Sequence, residues 1–194
     1  MIRLSLCRPA ALALLAFTPC GATAQNAADV RFMSGMIHHH AQAILMAGGA
    51  PTHGASSSVR TLCDRIIVSQ NDEIALMQRW LGAHHQPVPA VEAAHAMMPE
   101  MDPAAMMPGM LSGAQLAELD SARGPEFDRI FLSFMIQHHN GAVTMVNQLF
   151  ASGAGEEQSV FKLASAIYAD QTTEIARMQQ MLAAIIFAPT PPTQ

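Results

Sequence analysis

Apolar residues recur every three or four positions in four long stretches of the chain, which is the period expected of helices with one buried face. Glycines and prolines bound these stretches and are nearly absent inside them. The pattern predicts helices at about 29–47, 57–81, 126–150 and 157–187, with a shorter helical piece near 112–122. Because short loops join the first helix to the second and the third to the fourth, we expect two antiparallel hairpins that form an all-α four-helix bundle.

The two predicted hairpins are copies of one sequence unit. The stretch DVRFMSGMIHHHAQAILM (29–46) aligns with DRIFLSFMIQHHNGAVTM (128–145) at a shift of 99 residues. A second block, SQNDEIALMQRWL (69–81), aligns with DQTTEIARMQQML (170–182) at a shift of 101 residues. Two blocks that repeat in the same order indicate an internal duplication.

Residues 1–24 have the composition of a cleaved export signal. Two arginines precede the short apolar run ALALLAF, and Ala22-Thr23-Ala24 fits a small-residue cleavage site. The apolar run is too short to span a bilayer, so we expect no membrane span in the mature chain. The predicted address is a bacterial periplasm, and a lipid anchor at Cys20 is disfavoured because the residues before it make a poor lipidation motif.

The mature chain divides into one domain and a tail. The domain at 25–188 comprises repeat one at 29–82, a linker rich in methionine and proline at 83–124, and repeat two at 125–187, and a disordered tail follows at 189–194. Removal of the signal leaves Cys63 without a partner for a disulfide. The formal charge of −5 argues against a nucleic-acid partner.

A helical projection separates the three consecutive histidines of the first helix. At about 100° per residue, His39 and His40 fall on the face that carries the apolar residues, whereas His38 falls on the opposite face and is expected to face solvent. Repeat two keeps the histidine pair and has Gln137 in place of His38. The second helix of each repeat also has polar residues on its inward face, which in repeat one include Glu73.

Burial of carboxylates and imidazoles costs free energy unless they are paired or bind a metal. One interpretation of the inward residues is therefore a metal site, which we favour for the duplicated set. The other is a His–Glu hydrogen-bond network that fixes helix register, with methionine as core filler, and the two coexist if the carboxylates orient the imidazoles. The candidate ligands in the helices are Met36, His39, His40, Met46, Glu73, Met77, Met135, His138, His139, Met145, Glu174 and Met178.

The linker contains the motif MMxxM twice, among prolines and acidic residues that make a buried amphipathic stripe implausible. Thioethers select Cu(I) and similar soft ions, and they do not titrate, so we expect binding to survive at acid pH. The alternative is a flexible loop that packs across the helices through adaptable methionine contacts. The candidate linker ligands are His95, Met97, Met98, Met101, Met106, Met107 and Met110.

Four stretches of the chain resemble the DUF305 family over about 29–182: FMSGMIHHHAQAILMA, SQNDEIALMQRWL, GMLSGAQLAELDSARGPEFDRIFLSFMIQHHNGAVTMV and DQTTEIARMQQML. The resemblance implies an exported bacterial protein with a ferritin-like four-helix fold. Because some members are implicated in periplasmic copper binding and copper resistance, it also implies metal ligation by the histidine pairs, the neighbouring methionines and the linker. Two residues depart from the family pattern: His38 stands where proline is usual, and Asn140 where an acidic residue or glutamine is common.

Three functions follow from these observations as alternatives. The leading hypothesis is a non-catalytic periplasmic Cu(I) buffer or chaperone, with Cu(II) at the histidines as an option and a copper-transport protein as partner. The second is a ferritin-like metal oxidase, although a di-iron site needs four inward carboxylates and only Glu73 and Glu174 are found. The third is a metal-free envelope module whose buried His and Glu set helix register. The oligomeric state is left open, a homo-oligomer included.

Overall fold

A computed structural model describes residues 20–90 and 107–187 of the chain. This part of the chain is all-α, with five helices and no strand. The helices are α1 (Cys20–Gly48), α2 (Ser57–Ala83), α3 (Gly113–Ser121), α4 (Pro125–Ala151) and α5 (Gln158–Ile186). Among the described helices, none combines the length and the apolar character needed to cross a membrane.

The predicted helix boundaries agree with the structure to within two residues, except at the start of α1. This helix begins at Cys20, inside the predicted export signal, rather than near residue 29. The rest of that signal, linker residues 91–106 and the tail at 189–194 lie outside the described residues.

Local sequence accounts for the starts of the three middle helices. At α2, the Ser56 hydroxyl accepts a hydrogen bond from the Val59 amide at 3.4 Å. At α3, Ser112 and Gln115 form a reciprocal capping box. Pro125 occupies the first turn of α4, where its missing N–H costs no helical hydrogen bond.

The four long helices pack as two hairpins, α1 with α2 and α4 with α5, and α1 also packs against α4. The ferritin-like arrangement expected from the sequence stays a prediction. Apolar side chains form two core clusters, which we name after one methionine of each. The Met36 cluster includes Met36, Met77 and Met145. The Met135 cluster includes Met46, Met135 and Met178, together with Cys63.

A layer of buried polar residues separates the two clusters along every long helix. On α1, the residues before His39 belong to the Met36 cluster and those after His40 to the Met135 cluster. On α4 the order is reversed around the second histidine pair. The members of this polar layer are His39, His40, Gln70, Glu73, His138, His139, Gln171 and Glu174.

Two buried aspartates tie the repeats together at their ends. Both carboxylate oxygens of Asp128 accept a hydrogen bond from the Ser56 amide at 3.2 Å. Asp29 Oδ1 accepts one from the Gly155 amide at 2.7 Å. Asp29 and Asp128 are equivalent in the repeat, and so are positions 56 and 155. Each repeat therefore binds the hairpin loop of the other, as expected of two units related by an approximate two-fold axis.

The end of the linker, residues 107–111, crosses the seam between α1 and α4. The Gln42 side chain donates to the Leu111 carbonyl at 3.0 Å and accepts from the Leu111 amide at 2.7 Å. The repeat equivalent of Gln42 is Gly141, where an added Cβ would overlap the carbonyl group of Pro108. The linker is therefore held by hydrogen bonds on the α1 side and by close backbone contact on the α4 side.

Candidate metal centre

The two predicted histidine pairs meet in the interior of the protein. His39, His40 and His139 are fully buried, and His138 is 1% exposed. The rings of His39 and His138 lie with their centroids 3.9 Å apart at a tilt of 39°. The inward orientation predicted for both pairs is therefore confirmed, whereas His38, expected to face solvent, is half-buried.

Each pair contributes one histidine that is bound to a glutamate of its own hairpin. His40 Nε2 lies 2.7 Å from Glu73 Oε2, and His139 Nε2 lies 2.8 Å from Glu174 Oε2. An ionised carboxylate only accepts hydrogen bonds, so in both rings Nε2 carries the hydrogen and Nδ1 carries the lone pair. The predicted role of the carboxylates, to orient the imidazoles, agrees with this geometry.

The other histidine of each pair has a different environment. His39 Nε2 lies 3.0 Å from the Pro108 carbonyl oxygen, so it donates to the linker and leaves Nδ1 as the acceptor. Neither ring nitrogen of His138 has a hydrogen-bond partner. In all four imidazoles Nδ1 is buried and without a hydrogen-bond partner.

Burial keeps the imidazoles of His39, His138 and His139 neutral. It lowers the pKa of His39 to about 3, with a further contribution from the neighbouring His40. Burial, followed by the other imidazoles, holds the pKa of His138 well below its ordinary value, whereas contact with the His39 backbone opposes the shift. Burial also lowers the pKa of His139, although its hydrogen bond to Glu174 acts in the opposite direction. Neutral imidazole is the form that binds metals.

Methionine sulfur flanks the histidines on both sides. Each core cluster takes two of the predicted methionine ligands from one repeat and the third from the other, as the internal symmetry requires. All six of these methionines are buried. Each of these methionines therefore lies in a core cluster that adjoins the polar layer.

Within residues 20–90 and 107–187, no three side chains from His, Cys, Asp and Glu are grouped so that they could hold one ion. A site of three or more donors built on this layer must therefore include methionine sulfur, an amide or a reoriented side chain. Such amides are supplied by Gln70 and Gln171, which are not among the ligands predicted from the sequence. Both are buried, and both amide atoms of Gln70 and Oε1 of Gln171 have no hydrogen-bond partner. Both belong to the pattern Q-x-x-E-I, which occurs in each repeat, and this recurrence is the sequence feature that could have identified them.

Residues 29–182 match the model of a family described as a domain of unknown function, DUF305. The chain belongs to the DUF305 family. Solved structures agree with this assignment. A DUF305 protein of Streptomyces coelicolor, described as a candidate secreted protein, is 26% identical, with a TM-score of 0.69 over 81% of this chain and 93% of the other. A DUF305 fragment of Deinococcus radiodurans is 32% identical, with a TM-score of 0.69 over 80% and 95%.

A third similar structure is that of a protein named CopM in its Cu(II)-bound form. It is 32% identical to this chain, with a TM-score of 0.65 over 79% of this chain and 95% of CopM. Structures of CopM in Cu(I)-bound, silver-bound and apo forms are also similar, at 28–30% identity. No curated protein matches the chain.

Cys63 and the predicted linker ligands of this DUF305 chain lie in a core cluster, at the linker end or outside the described residues. Cys63 is buried in the Met135 cluster, and burial raises the pKa of its thiol to about 12, so it has the properties of a small apolar side chain. The expectation that linker methionines are exposed is wrong for Met110, which is buried, and for Met107, which is half-buried. Both pack where the linker end crosses the helices, as in the alternative interpretation of the linker. The other predicted linker ligands lie outside the described residues: His95, Met97, Met98, Met101 and Met106.

Proposed function

We propose that this protein is a non-catalytic copper-binding protein, a Cu(I) buffer or chaperone that holds the ion through buried imidazole and thioether groups. The observation that carries the proposal is the set of four buried imidazole Nδ1 atoms without hydrogen-bond partners. A buried polar atom without a partner costs about 1–3 kcal/mol. A bound cation would remove this cost by accepting the lone pairs.

The imidazoles are also prepared for ligation by their hydrogen bonds. Glu73, Glu174 and the Pro108 carbonyl each accept an Nε2–H, which leaves the Nδ1 lone pairs of His40, His139 and His39 available. Because burial keeps His39 and His139 neutral at physiological pH, an incoming ion displaces no proton from them.

The choice of metal follows from the donors that surround the histidines. Six buried methionines flank the polar layer, which contains only two carboxylates. Thioether sulfur favours Cu(I) over zinc, magnesium or calcium, and imidazole also suits Cu(II). The similarity to CopM, whose structures include Cu(I)-bound and Cu(II)-bound forms, supports the same metal for this chain.

We further propose that the four long helices form a ferritin-like bundle and that the protein acts in the periplasm, in copper homeostasis or resistance with a copper-transport protein as partner. The lengthwise packing of α1 on α4 supports the bundle, and the candidate secreted DUF305 protein supports export. A di-iron oxidase needs four carboxylates at its centre. In the described part of the chain, Glu73 and Glu174 are the only carboxylates that contact the two buried histidine pairs, which favours binding over catalysis.

An anaerobic Cu(I) titration against a chromophoric chelator tests this function. The double variant Glu73→Gln/Glu174→Gln keeps an acceptor for each Nε2–H but removes the charge, and we expect Cu(I) affinity to fall by about 10–100-fold. Asp72→Asn is the matched control, because Asp72 is an exposed carboxylate of α2, and it should leave the affinity unchanged.

The strongest test combines four substitutions: His39→Ala, His40→Ala, His138→Ala and His139→Ala. We expect the loss of at least one Cu(I) equivalent in a variant that stays helical by circular dichroism. The proposal fails if the wild type binds no Cu(I). The assignment to these histidines fails if the helical quadruple variant keeps the full affinity and stoichiometry.

A further inference from the structure

A cavity of about 290 Å³ opens beside the linker end, between α1 and α4. Its walls include Phe32 and Gly35 from α1, Met145 from α4 and Met107 from the linker. Arg31 also lines the cavity but is exposed. The cavity is thus lined by two thioethers from different parts of the chain, by apolar side chains and by the polar residues Gln148 and Ser152.

The two methionines approach the same point of α1. A Cβ added at Gly35 would lie 3.3 Å from Met107 Sδ and 3.5 Å from Met145 Cε. The first of these distances is tighter than most real Cβ contacts, so any larger residue at position 35 would displace the Met107 sulfur. Gly35 therefore provides the room that brings the linker thioether next to the bundle thioether.

This room is absent from the equivalent place in repeat two. The residue equivalent to Gly35 is Phe134, which is half-buried and packs against the Met135 cluster. Methionine used as a core filler would be expected to leave no cavity. Repeat one instead has glycine where repeat two has an aromatic ring. The glycine leaves room for Met107 and for the cavity beside it.

The position of Met107 is fixed by its neighbours in the linker. Pro108 accepts the hydrogen bond from His39, and Leu111 is held by Gln42. In the linker sequence, four further methionines precede Met107.

We infer that Met107 and Met145 form a thioether site for a soft monovalent cation at the Gly35 cavity, separate from the histidine layer. The inference rests on the proposed function, in which the cation is Cu(I). Thioethers are neutral, soft donors that need not lose a proton, so binding here should be independent of pH over the range in which the protein stays folded. No electron transfer or covalent step is involved.

Silver(I) is a suitable probe because it resembles Cu(I) in softness and does not change oxidation state under the assay. We would titrate the purified protein, labelled with ¹³C at the methionine methyl groups, with Ag(I) and follow each methyl resonance by NMR. We expect the Met107 and Met145 resonances to shift together in one binding step, and this step to persist in the quadruple histidine variant.

Two variants isolate the site. Gly35→Phe copies the residue of repeat two and fills the cavity, and Met107→Leu removes one sulfur at nearly constant volume. Each should abolish the Ag(I) response of Met145. Met33→Leu is the matched control, since Met33 is a buried methionine of α1 in the same cluster that does not line the cavity. It should leave the Met145 response intact.

The outcomes separate this inference from the proposed function. If Ag(I) and Cu(I) bind and the histidine variants lose affinity, but the Met107 and Met145 resonances do not move, the thioether site is refuted and the proposed function stands. Retention of the Met145 response in folded Met107→Leu protein would also refute the pairing. If neither ion binds anywhere, both proposals fail.

Discussion

Acidification should destabilise the metal-free protein steeply, because it contains histidines that are neutral only through burial. In the unfolded chain each histidine has its ordinary pKa of 6.5, whereas burial lowers the pKa of His39 to about 3 in the folded protein. Between these two values the unfolded chain binds more protons than the folded one. The free energy of unfolding therefore falls as the pH falls through this window.

The size of the effect follows from the two pKa values. For one group that titrates at 6.5 when unfolded and at about 3 when folded, lowering the pH from 7 to 5 removes about 2 kcal/mol. Burial also holds the pKa of His138 well below its ordinary value and lowers that of His139, so both groups add to the effect in the same direction. The contribution of His39 alone is already a substantial part of the roughly 5–15 kcal/mol typical of a domain.

The change in the free energy of unfolding with pH can be measured by urea unfolding at several pH values between 7 and 5. Circular dichroism monitors the unfolding, and a metal chelator is present throughout. His138→Leu should make this dependence on pH shallower, because it removes one group that takes up a proton in the unfolded chain but not in the folded protein. Leucine has a volume similar to that of histidine, and the titrating ring that it replaces makes no hydrogen bond. His85→Asn is the matched control, because His85 is exposed and its positive φ of 55° suits asparagine.

A flat free energy of unfolding between pH 7 and 5 would refute the argument. So would a His138→Leu variant with the wild-type slope, since the buried ring would then not be the source of the effect. A changed slope in His85→Asn would show instead that exposed histidines dominate the pH dependence.

Three further predictions concern the packing of Gly141 and Cys63 and the role of His38. Gly141→Ala should destabilise the protein by about 1–3 kcal/mol in urea unfolding, because a Cβ there would overlap the linker backbone, whereas Gly48→Ala, with nothing within 4 Å, should be neutral or slightly stabilising. A thiol reagent should label Cys63 only after unfolding, since the thiol is buried and its pKa is raised to about 12; rapid labelling of the folded protein would contradict this burial. His38→Gln, which copies Gln137, should leave Cu(I) affinity unchanged in the chelator titration, and a weaker affinity would make His38 a ligand.

Most of the helical framework could be predicted because the duplication provides two independent copies of each pattern. A helical projection placed His39 and His40 correctly, and the second copy separated them from His38 by replacing it with Gln137. The projection failed to show that His38 is half-buried. A helical wheel gives the direction of a side chain but not which neighbouring segment covers it.

The linker end was the part that sequence patterns could not place. Its prolines and methionines carry no helical or strand period, so only the composition of Met107 and Met110 was available. What holds it are single contacts at large sequence separation, such as the pair between Gln42 and the Leu111 backbone. Gln42 has no distinguishing signal in the sequence except that repeat two lacks it.

Several places where the repeats differ lie under the linker end. Gly35, where repeat two has Phe134, leaves room for the Met107 side chain. Gly141, where repeat one has Gln42, leaves room for the linker backbone. Gln137, which replaces a histidine, donates to the Gly109 carbonyl at 3.4 Å. These differences make one seam of a nearly symmetric molecule into a binding surface for the linker.

That asymmetry reaches the polar layer itself. On the seam the Pro108 carbonyl fixes the tautomer of His39, whereas its equivalent His138 has no partner on either nitrogen. The two histidine pairs are therefore chemically different although their sequences repeat. Movement of the linker end would break the hydrogen bond that orients the His39 ring. The position of the linker and the orientation of this ring are thus linked through a single hydrogen bond.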